Sequence, residues 1–383
     1  MKNFKIVFSL LIVFVISCEV INESYTDGYS ENPNNPTDAP LENLFTAAQA
    51  GMIVFMESHP ARLSNLWTQH ATGESRQYAG YYGYSIDVSE LSFGYSWNNA
   101  YVDVLANIKQ VQEKAVEEGG RENILAVSKI IEAITIGTVT ALWGDVPYTE
   151  AFDVDDIENP KYDSQIEVYG LAQDLLDEAV ETLENDPRNL LDGLDILSYN
   201  GDVEKWIKAA YSFKARFYME TGQIQEAISA AENGIMDPAD DLYINHFGTN
   251  GRDMNLWYSF MEFDRNGLIG ASDNHAFPLM NDRENSKTDE EGRMSYYYSE
   301  DGLALNILPG NAFGPSANYP IFNANETFLI LAEAYAINAN DNTTRNIALS
   351  YLNDARQYNE NKFTGSTYQP LVLSDFETGG EYE

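Results

Sequence analysis

The chain has 383 residues, of which 22 are Lys or Arg and 60 are Asp or Glu, so its formal net charge at pH 7 is −38. A surface this acidic repels phosphate backbones and anionic lipid headgroups, which argues against nucleic acid and against a membrane surface as partners. Hydrophobic residues make up 44% of the chain, which is enough to bury a large core and argues against a disordered stalk.

Residues 1–17 have the pattern of a secretory signal peptide. Lys2 and Lys5 accompany an apolar run, Ile6 to Ile16, that is too short to span a bilayer as a helix. The end of this run, VISC at residues 15–18, is similar to the bacterial lipobox, whose cysteine is lipidated and becomes the new N-terminus. Cys18 is the only cysteine of the chain, which favours a lipid anchor over the alternative, an ordinary signal peptide followed by a chance cysteine.

Residues 18–40 are predicted to be the lipid anchor and a flexible spacer. They are rich in Asn, Pro, Asp, Ser and Glu and show no apolar periodicity. Glu19 and Glu23 lie close to the anchor, as acidic residues do in the surface-export signal of Bacteroidetes lipoproteins. We therefore expect the protein to contact the membrane through its lipid anchor only.

Residues 41–383 are predicted to form a single, mostly helical domain. Apolar residues recur at three- and four-residue steps from Leu41 to Met56 and from Trp97 to Val116, which places them on one helical face. The segment from Asn123 to Trp143 is apolar on nearly all sides, as in a helix at the centre of a bundle. The predicted fold class is therefore all-α.

Helix starts and helix pairs are marked further along the chain. Ser164 and Glu167 predict a capping box, and Asp202 predicts another helix start. Around Gly222 the spacing of bulky and small residues fits the tetratricopeptide pattern, in which two helices pack closely and must stack on neighbouring pairs. The predicted helix pairs comprise Asn123–Leu183, Tyr218–Pro238 and, as a looser copy, Phe328–Ala355.

Two long stretches, 66–96 and 239–322, lack this helical pattern and are predicted to be irregular loops that carry the binding face. Trp67 and Trp257 lie in these two stretches among residues that are polar, whereas the other tryptophans fall on apolar helical faces. Sugars bind by laying C–H faces on flat rings while amides take the hydroxyl groups. The alternative is that the rings only pin loops to the scaffold. The predicted glycan-binding residues are Trp67, Asn65, Gln77, Tyr78, Tyr82 and Trp257.

The sequence carries no pattern for catalysis, for a metal or for a cofactor. Its four histidines lack the paired spacing of a zinc site, and no nucleophile elbow or phosphate-binding loop is present. Sixty carboxylates make a chance pair uninformative about glycosidase chemistry. The acidic loop at 153–158 lacks the glycine and the final glutamate of a calcium loop. We therefore predict no catalytic residue, no metal and no cofactor.

Three ordered motifs resemble the SusD/RagB family of surface glycan-binding lipoproteins of Bacteroidetes. Residues 143–151, WGDVPYTEA, are similar to the family's turn after a buried helix. Residues 160–169 are similar to its helix entry, and residues 199–206, which begin YNGD and end in Trp206, are similar to the start of its repeat helix. The resemblance covers nearly the whole mature chain. It implies a helical scaffold and an outer-membrane lipoprotein that faces the outside.

The resemblance also implies a function in polysaccharide utilization. The protein would capture an oligosaccharide or polysaccharide without catalysis and deliver it to a partner, a SusC-like TonB-dependent transporter. Alternatives that the residues leave open are a peptide-binding member of the same family, a surface glycoside hydrolase, and a helical-repeat adaptor that binds only its partner. Family members usually continue past the second repeat, so the domain 41–383 is expected to be incomplete at its C-terminus.

Overall fold

The computed structural model describes residues 39–85, 90–153, 157–186, 191, 193–249 and 253–377. The predicted signal peptide, Cys18 and nearly all of the predicted spacer lie outside these described residues. The chain divides after Asn43, and residues 44–383 form one compact unit that holds the core and the clefts.

Helices dominate the described residues, which confirms the predicted all-α class. The α-helices are α1 Leu41–Glu57, α2 His59–Trp67, α3 Arg76–Tyr82, α4 Glu90–Asn98, α5 Asn107–Glu118, α6 Glu122–Trp143, α7 Gln165–Asn185, α8 Val203–Glu220, α9 Ile224–Ala231, α10 Leu256–Ser259, α11 Ala276–Asp282, α12 Glu291–Tyr297, α13 Ala324–Ile337 and α14 Asn342–Lys362. Two π-helices, Asn99–Ala106 and Phe260–Asp264, and two 3₁₀ turns, Pro238–Asp240 and Leu373–Phe376, complete the helical elements.

Strands are short and pair two by two. They are β1 Thr72–Gly73, β2 Leu242–Ile244, β3 Ile269–Gly270, β4 Thr288–Asp289, β5 Tyr319–Phe322 and β6 Thr367–Tyr368. All three pairs, β1 with β3, β2 with β5 and β4 with β6, are antiparallel. Each pair joins segments that lie far apart in the chain, so the strands connect distant loops through backbone hydrogen bonds.

The three predicted helix pairs are present and stack on one another. α6 packs on α7, α8 on α9, and α13 on α14. The second pair contacts both of the others, because α8 lies against α6 and α7 while α9 lies against α13. This is the arrangement expected of repeats that cannot bury their apolar faces alone.

The predicted helix caps are confirmed. The Ser164 hydroxyl accepts from the backbone N–H of Glu167, and the Glu167 carboxylate accepts from the backbone N–H of Ser164, which is a complete capping box. Asp202 caps α8 by accepting from the Lys205 N–H. These bonds satisfy donors that the first helical turn leaves without partners.

One carboxylate joins two of the sequence motifs. Asp163, which precedes α7, accepts from the backbone N–H groups of Tyr148 at 3.0 Å and Thr149 at 2.7 Å. Its own backbone pairs with Val146 in an isolated antiparallel bridge. These bonds lower the pKa of the Asp163 carboxyl despite its burial. The motif residues therefore hold the scaffold together, since they tie the exit of α6 to the start of α7.

Helix α6 is the centre of the scaffold. It is the one helix among the described residues long and apolar enough to cross a membrane by length and composition, but 78% of its most apolar stretch is buried inside the protein. Its buried Glu132 is paired, since it accepts from Tyr148 Oη at 2.5 Å and from Gln112 Nε2 at 2.6 Å and forms an ion pair with Lys109. α6 is thus a core helix, as its all-round apolar pattern predicts.

Helices α6 and α8 approach each other closely in the core at Gly137 of α6. A Cβ atom at this position would lie 2.2 Å from Cζ of Phe217 in α8, which is 2% exposed. Gly170 of α7 offers a matched contrast, because it is exposed and a Cβ there would meet no atom within 4 Å.

Gly137→Ala should lower the free energy of unfolding by about 1–3 kcal/mol through overpacking against Phe217. Gly170→Ala should raise it by about 0.5–1 kcal/mol, because alanine loses less backbone entropy in a helix. Urea unfolding followed by circular dichroism measures both. Equal stability of the two variants would contradict the close contact between α6 and α8.

Candidate functional site

The two predicted irregular stretches come together in one layer of the structure, although both contain short helices that the sequence pattern does not predict. β1 pairs with β3, and the backbone N–H of Glu74 donates to the carbonyl of Leu268 at 2.9 Å. The Glu74 carboxylate in turn accepts from the N–H of Ser272 at 3.1 Å. These bonds join residues that lie about two hundred positions apart, so the layer exists only in the folded chain.

A hydrophobic cluster supports this layer from within. It comprises Leu66, Trp257, Leu268, Met294 and Tyr298 among others, and Trp67, Tyr297 and Phe313 pack against it. The indole of Trp257 is 1% exposed and lies 5.1 Å from the ring of Phe313. The ring of Trp257 is therefore a core group, and it does not reach solvent in this structure.

The largest opening that this layer bounds, here called the main cleft, has a volume of about 520 Å³. Helix α2 and the turn after it form one wall, α11 and α12 form a second, and the end of α14 with the start of α13 form a third. Its volume lies within the range of roughly 300–1,000 Å³ that is typical of small-ligand sites. The residues that line the main cleft are Ser64, Asn65, Thr68, His70, Ala276, Leu279, Met280, Arg293, Tyr297, Tyr298, Phe313, Pro320, Asn323, Asn325, Tyr358, Asn359, Lys362 and Phe363.

Aromatic rings form one side of this lining. The ring of Tyr297 lies 5.8 Å from that of Phe363 and 6.5 Å from that of Phe313. Burial raises the pKa of the Tyr297 hydroxyl to about 12, so it stays a neutral group at physiological pH. The cleft therefore offers uncharged, flat apolar surface.

Amides form the complementary part of the lining. Asn65, Asn323, Asn325 and Asn359 all border the cleft. Asn323 is occupied as the cap of α13, where it accepts from the Glu326 N–H at 3.0 Å. The side-chain oxygen of Asn325 is buried without a hydrogen-bond partner among the described residues, which costs free energy that a donor would recover. One of the amides that border the main cleft thus has an acceptor oxygen without a partner.

The turn after α2 is held in place by backbone bonds. The N–H of His70 donates to the carbonyl of Asn65, and the carbonyl of His70 accepts from the Tyr298 hydroxyl at 2.8 Å. Burial lowers the pKa of the His70 imidazole, and the Arg293 guanidinium lowers it further. His70 is accordingly a weaker base than a free histidine and sits at a fixed point on the rim.

A smaller opening, here called the tyrosine pocket, lies on the other side of α3. It has a volume of about 340 Å³ and is lined by Ser58, His59, Arg62, Gln77, Tyr78, Tyr81, Tyr95, Asn99, Phe260 and Arg265. The Tyr78 hydroxyl accepts from Arg62 Nε at 3.1 Å, and the Arg62 guanidinium lies 4.2 Å from the centre of the Phe260 ring. Its most prominent groups are therefore already engaged with one another.

The six residues predicted to bind glycan are distributed over four environments. Asn65 lines the main cleft, and Gln77 and Tyr78 line the tyrosine pocket. Trp67 and Tyr82 line neither: the Trp67 indole N–H donates to the carbonyl of Tyr81 at 3.1 Å, and the Tyr82 hydroxyl bonds to Asp273. Trp257, the sixth, is buried in the core. The geometry does not bring the six together at one site.

Sequence reasoning missed the wall that α14 contributes. Tyr358, Asn359, Lys362 and Phe363 belong to a helix that the sequence assigns to the scaffold. The available signal was the spacing of Tyr358 and Lys362, which are four residues apart and so share one helical face at the end of a repeat. Among the described residues, no group of three or more His, Cys, Asp or Glu side chains could hold a metal ion.

Trp67→Ala should lower the free energy of unfolding by about 2 kcal/mol, because the indole is half-buried and packs on the core cluster. Trp67→Phe should cost only about 1 kcal/mol, since it loses the hydrogen bond to Tyr81 but keeps most of the packing. Chemical denaturation measures both values. An alanine variant as stable as the parent chain would contradict the packed position of this ring.

Comparison with known proteins identifies the fold. No curated protein matches the chain. A SusD/RagB family protein from Bacteroides thetaiotaomicron superimposes with a TM-score of 0.61 and 17% identity, covering 88% of this chain and 77% of that one. A chitin-binding SusD homologue from Flavobacterium johnsoniae superimposes with a TM-score of 0.62 and 17% identity, covering 84% of this chain and 69% of that one.

The sequence itself matches a family model. Residues 33–333 fit the SusD-like family described as starch-binding and associating with the outer membrane. The match includes all three motifs of the sequence analysis, and the similar structures share the helical architecture described above. This chain belongs to the SusD-like family.

Proposed function

We propose that this protein captures an oligosaccharide at the cell surface without cleaving it, that it binds the sugar in the main cleft, and that it delivers it to a SusC-like TonB-dependent transporter. The observation that carries the binding part is the lining of the cleft, which includes both flat rings and amides, one of which has a buried oxygen without a partner among the described residues. The family description as starch-binding and the chitin-binding homologue support a glycan as ligand.

The chemistry of the lining suits a sugar ring. The rings of Tyr297, Phe313 and Phe363 offer apolar faces for the C–H groups of a pyranose, which is the surface that a saccharide buries most favourably. Asn325 and Asn359 offer acceptors and donors for its hydroxyl groups. A few polar groups within a largely apolar cleft are typical of sites that bind a specific small ligand.

The same lining argues for capture rather than hydrolysis. Glycosidases place two carboxyl groups about 5–10 Å apart on either side of the scissile bond. Among the described residues that line the main cleft, none is Asp or Glu. A sugar held there would meet no acid and no carboxylate nucleophile, and this supports a non-catalytic role.

The surface location belongs to the same proposal. The lipobox at residues 15–18 supports a lipid anchor at Cys18, and the family is described as associating with the outer membrane. A tether at residue 18 followed by a spacer would keep the helical body close to a transporter in the same membrane. Delivery would follow from this proximity, since a released sugar starts next to the channel.

Asn325→Ala and Asn359→Ala should each weaken glycan binding about tenfold, because each removes a hydrogen-bonding group from the cleft. Asn338→Ala is the matched control: it lies at the opposite end of α13 from Asn325, about 20 Å away by helical rise, and should bind like the parent chain. Isothermal titration calorimetry against a panel of oligosaccharides measures the affinities. Unchanged affinity in both cleft variants would place the sugar elsewhere.

The peptide-binding alternative is tested in the same calorimeter. A panel of short peptides of both charges should produce no heat of binding that the cleft variants abolish. Saturable peptide binding that is lost in Asn325→Ala, with no glycan binding, would replace the glycan by a peptide as ligand. Release of shorter saccharides during overnight incubation with the best-binding glycan would overturn the non-catalytic role.

Cys18→Ser should release the protein from the membrane fraction, because the hydroxyl cannot accept the lipid that anchors the chain. Ser17→Ala keeps a small residue before the cysteine and should remain membrane-bound. Fractionation of whole cells, with protease accessibility as a measure of surface exposure, tests both variants. A Cys18→Ser protein that stays in the outer membrane would contradict the lipid anchor.

A further inference from the structure

The charge of the main cleft is opposite to that of the whole protein. The chain carries 60 acidic and 22 basic residues, yet the described residues that line the cleft include Arg293 and Lys362 and no carboxylate. A cleft with the average composition of this chain would contain more acidic than basic side chains. The bias is therefore local, and it bears on the kind of sugar that the cleft accepts.

Lys362 is the cation with the least compensation. It stands at the end of α14, where its ammonium lies 5.7 Å from the ring centres of both Tyr358 and Phe363. Among the salt bridges of the described residues, none involves Lys362. Burial lowers the pKa of this ammonium, and the carboxylate of Asp241 offsets only part of that effect.

The carboxylate of Asp241 already accepts hydrogen bonds from other groups. It accepts from the backbone N–H of Ala324 at 2.7 Å and from the hydroxyl groups of Tyr358 at 2.7 Å and Tyr243 at 2.8 Å. Its carboxylate is 5% exposed and does not line the cleft. Asp241 is therefore shared among three hydrogen-bond donors, and Lys362 lines the cleft without a salt-bridge partner among the described residues.

Arg293 of α12 adds a second positive group to the lining of the cleft. Its Nε donates to Met280 Sδ at 3.2 Å and forms an ion pair with the Glu290 carboxylate at 3.0 Å. Glu290 is buried, and its carboxylate also accepts a hydrogen bond from the Tyr368 hydroxyl at 2.5 Å. Within the described residues, the two terminal nitrogens of Arg293 make no hydrogen bond, so their four N–H groups remain as donors for a ligand.

The N-terminus of helix α13 also contributes positive potential to the cleft. It has 14 residues, and it begins at the cleft, with Asn323 as its cap and Asn325 in its first turn. The N-terminus of a helix carries a partial positive charge that stabilises a nearby anion. An ammonium, a guanidinium that is paired with Glu290, and a helix start thus line one cleft.

We propose that the saccharide taken up by the main cleft is acidic: it carries a ring carboxylate, as in a uronic acid, or a sulfate ester, which Lys362 and Arg293 bind. This inference rests on the proposed function and narrows it to one class of glycan. The overall charge of −38 does not oppose it, because charges farther away than the Debye length of about 8 Å at physiological salt are largely screened.

The test compares three oligosaccharides of equal length: a neutral one, a uronic acid oligomer and a sulfated one. The protein should bind at least one acidic oligosaccharide at least tenfold more tightly than the neutral one. Lys362→Met should weaken that binding about tenfold, Lys362→Arg should retain it within about threefold, and added NaCl should weaken it in the parent chain. Lys129→Met, which removes a lysine outside the cleft, is the control and should change nothing.

Lys362→Met should fold, since it keeps most of the length of the side chain and removes a partly buried charge that has no salt bridge among the described residues; a melting temperature no lower than that of the parent chain checks this. If the neutral oligosaccharide binds best and Lys362→Met leaves its affinity unchanged, the acidic class is overturned while glycan capture stands. If none of the oligosaccharides binds, glycan capture fails and the acidic class fails with it.

Discussion

Helix α6 is apolar on nearly every side and must therefore be covered on nearly every side, and the arrangement of the scaffold follows from this requirement. α5, α7 and α8 pack around it. α8 lies so close to Gly137 that a Cβ atom there would overlap the Phe217 ring. Burying such a helix removes a large apolar area from water, at about 25 cal/mol per Å². The helix pairs that stack beyond α8 extend this core, because each pair has a further apolar face to cover.

The scaffold also determines where a ligand can bind. One wall of the main cleft is the end of α14 and the start of α13, which are parts of a stacked helix pair, and the other walls are the short helices of the loop layer. The pairing of β1 with β3 joins the two parts of the layer, and the layer packs on the hydrophobic cluster around Trp257. Groups such as Asn325 and Lys362 are thus presented from rigid helices, so little ordering is required when a ligand binds.

The helical scaffold was largely predictable, whereas the loop layer was not. Ser164 and Asp202 act locally, since a cap bonds to residues two or three positions away, and their roles follow from sequence alone. The helices within 66–96 and 239–322 have between four and nine residues. Such segments are too short for a helical period to stand out, and tertiary contacts stabilise them more than their own sequence does.

The binding face shows the same division. The sequence by itself determined the family, through three motifs, and the aromatic and amide composition from which a sugar site is made. Only the tertiary structure decided that Trp257 is buried while Asn65 lines the cleft, because burial depends on what packs from elsewhere in the chain. The positive cleft likewise gathers Arg293 and Lys362 from distant segments, and no local pattern records a charge formed across such a separation.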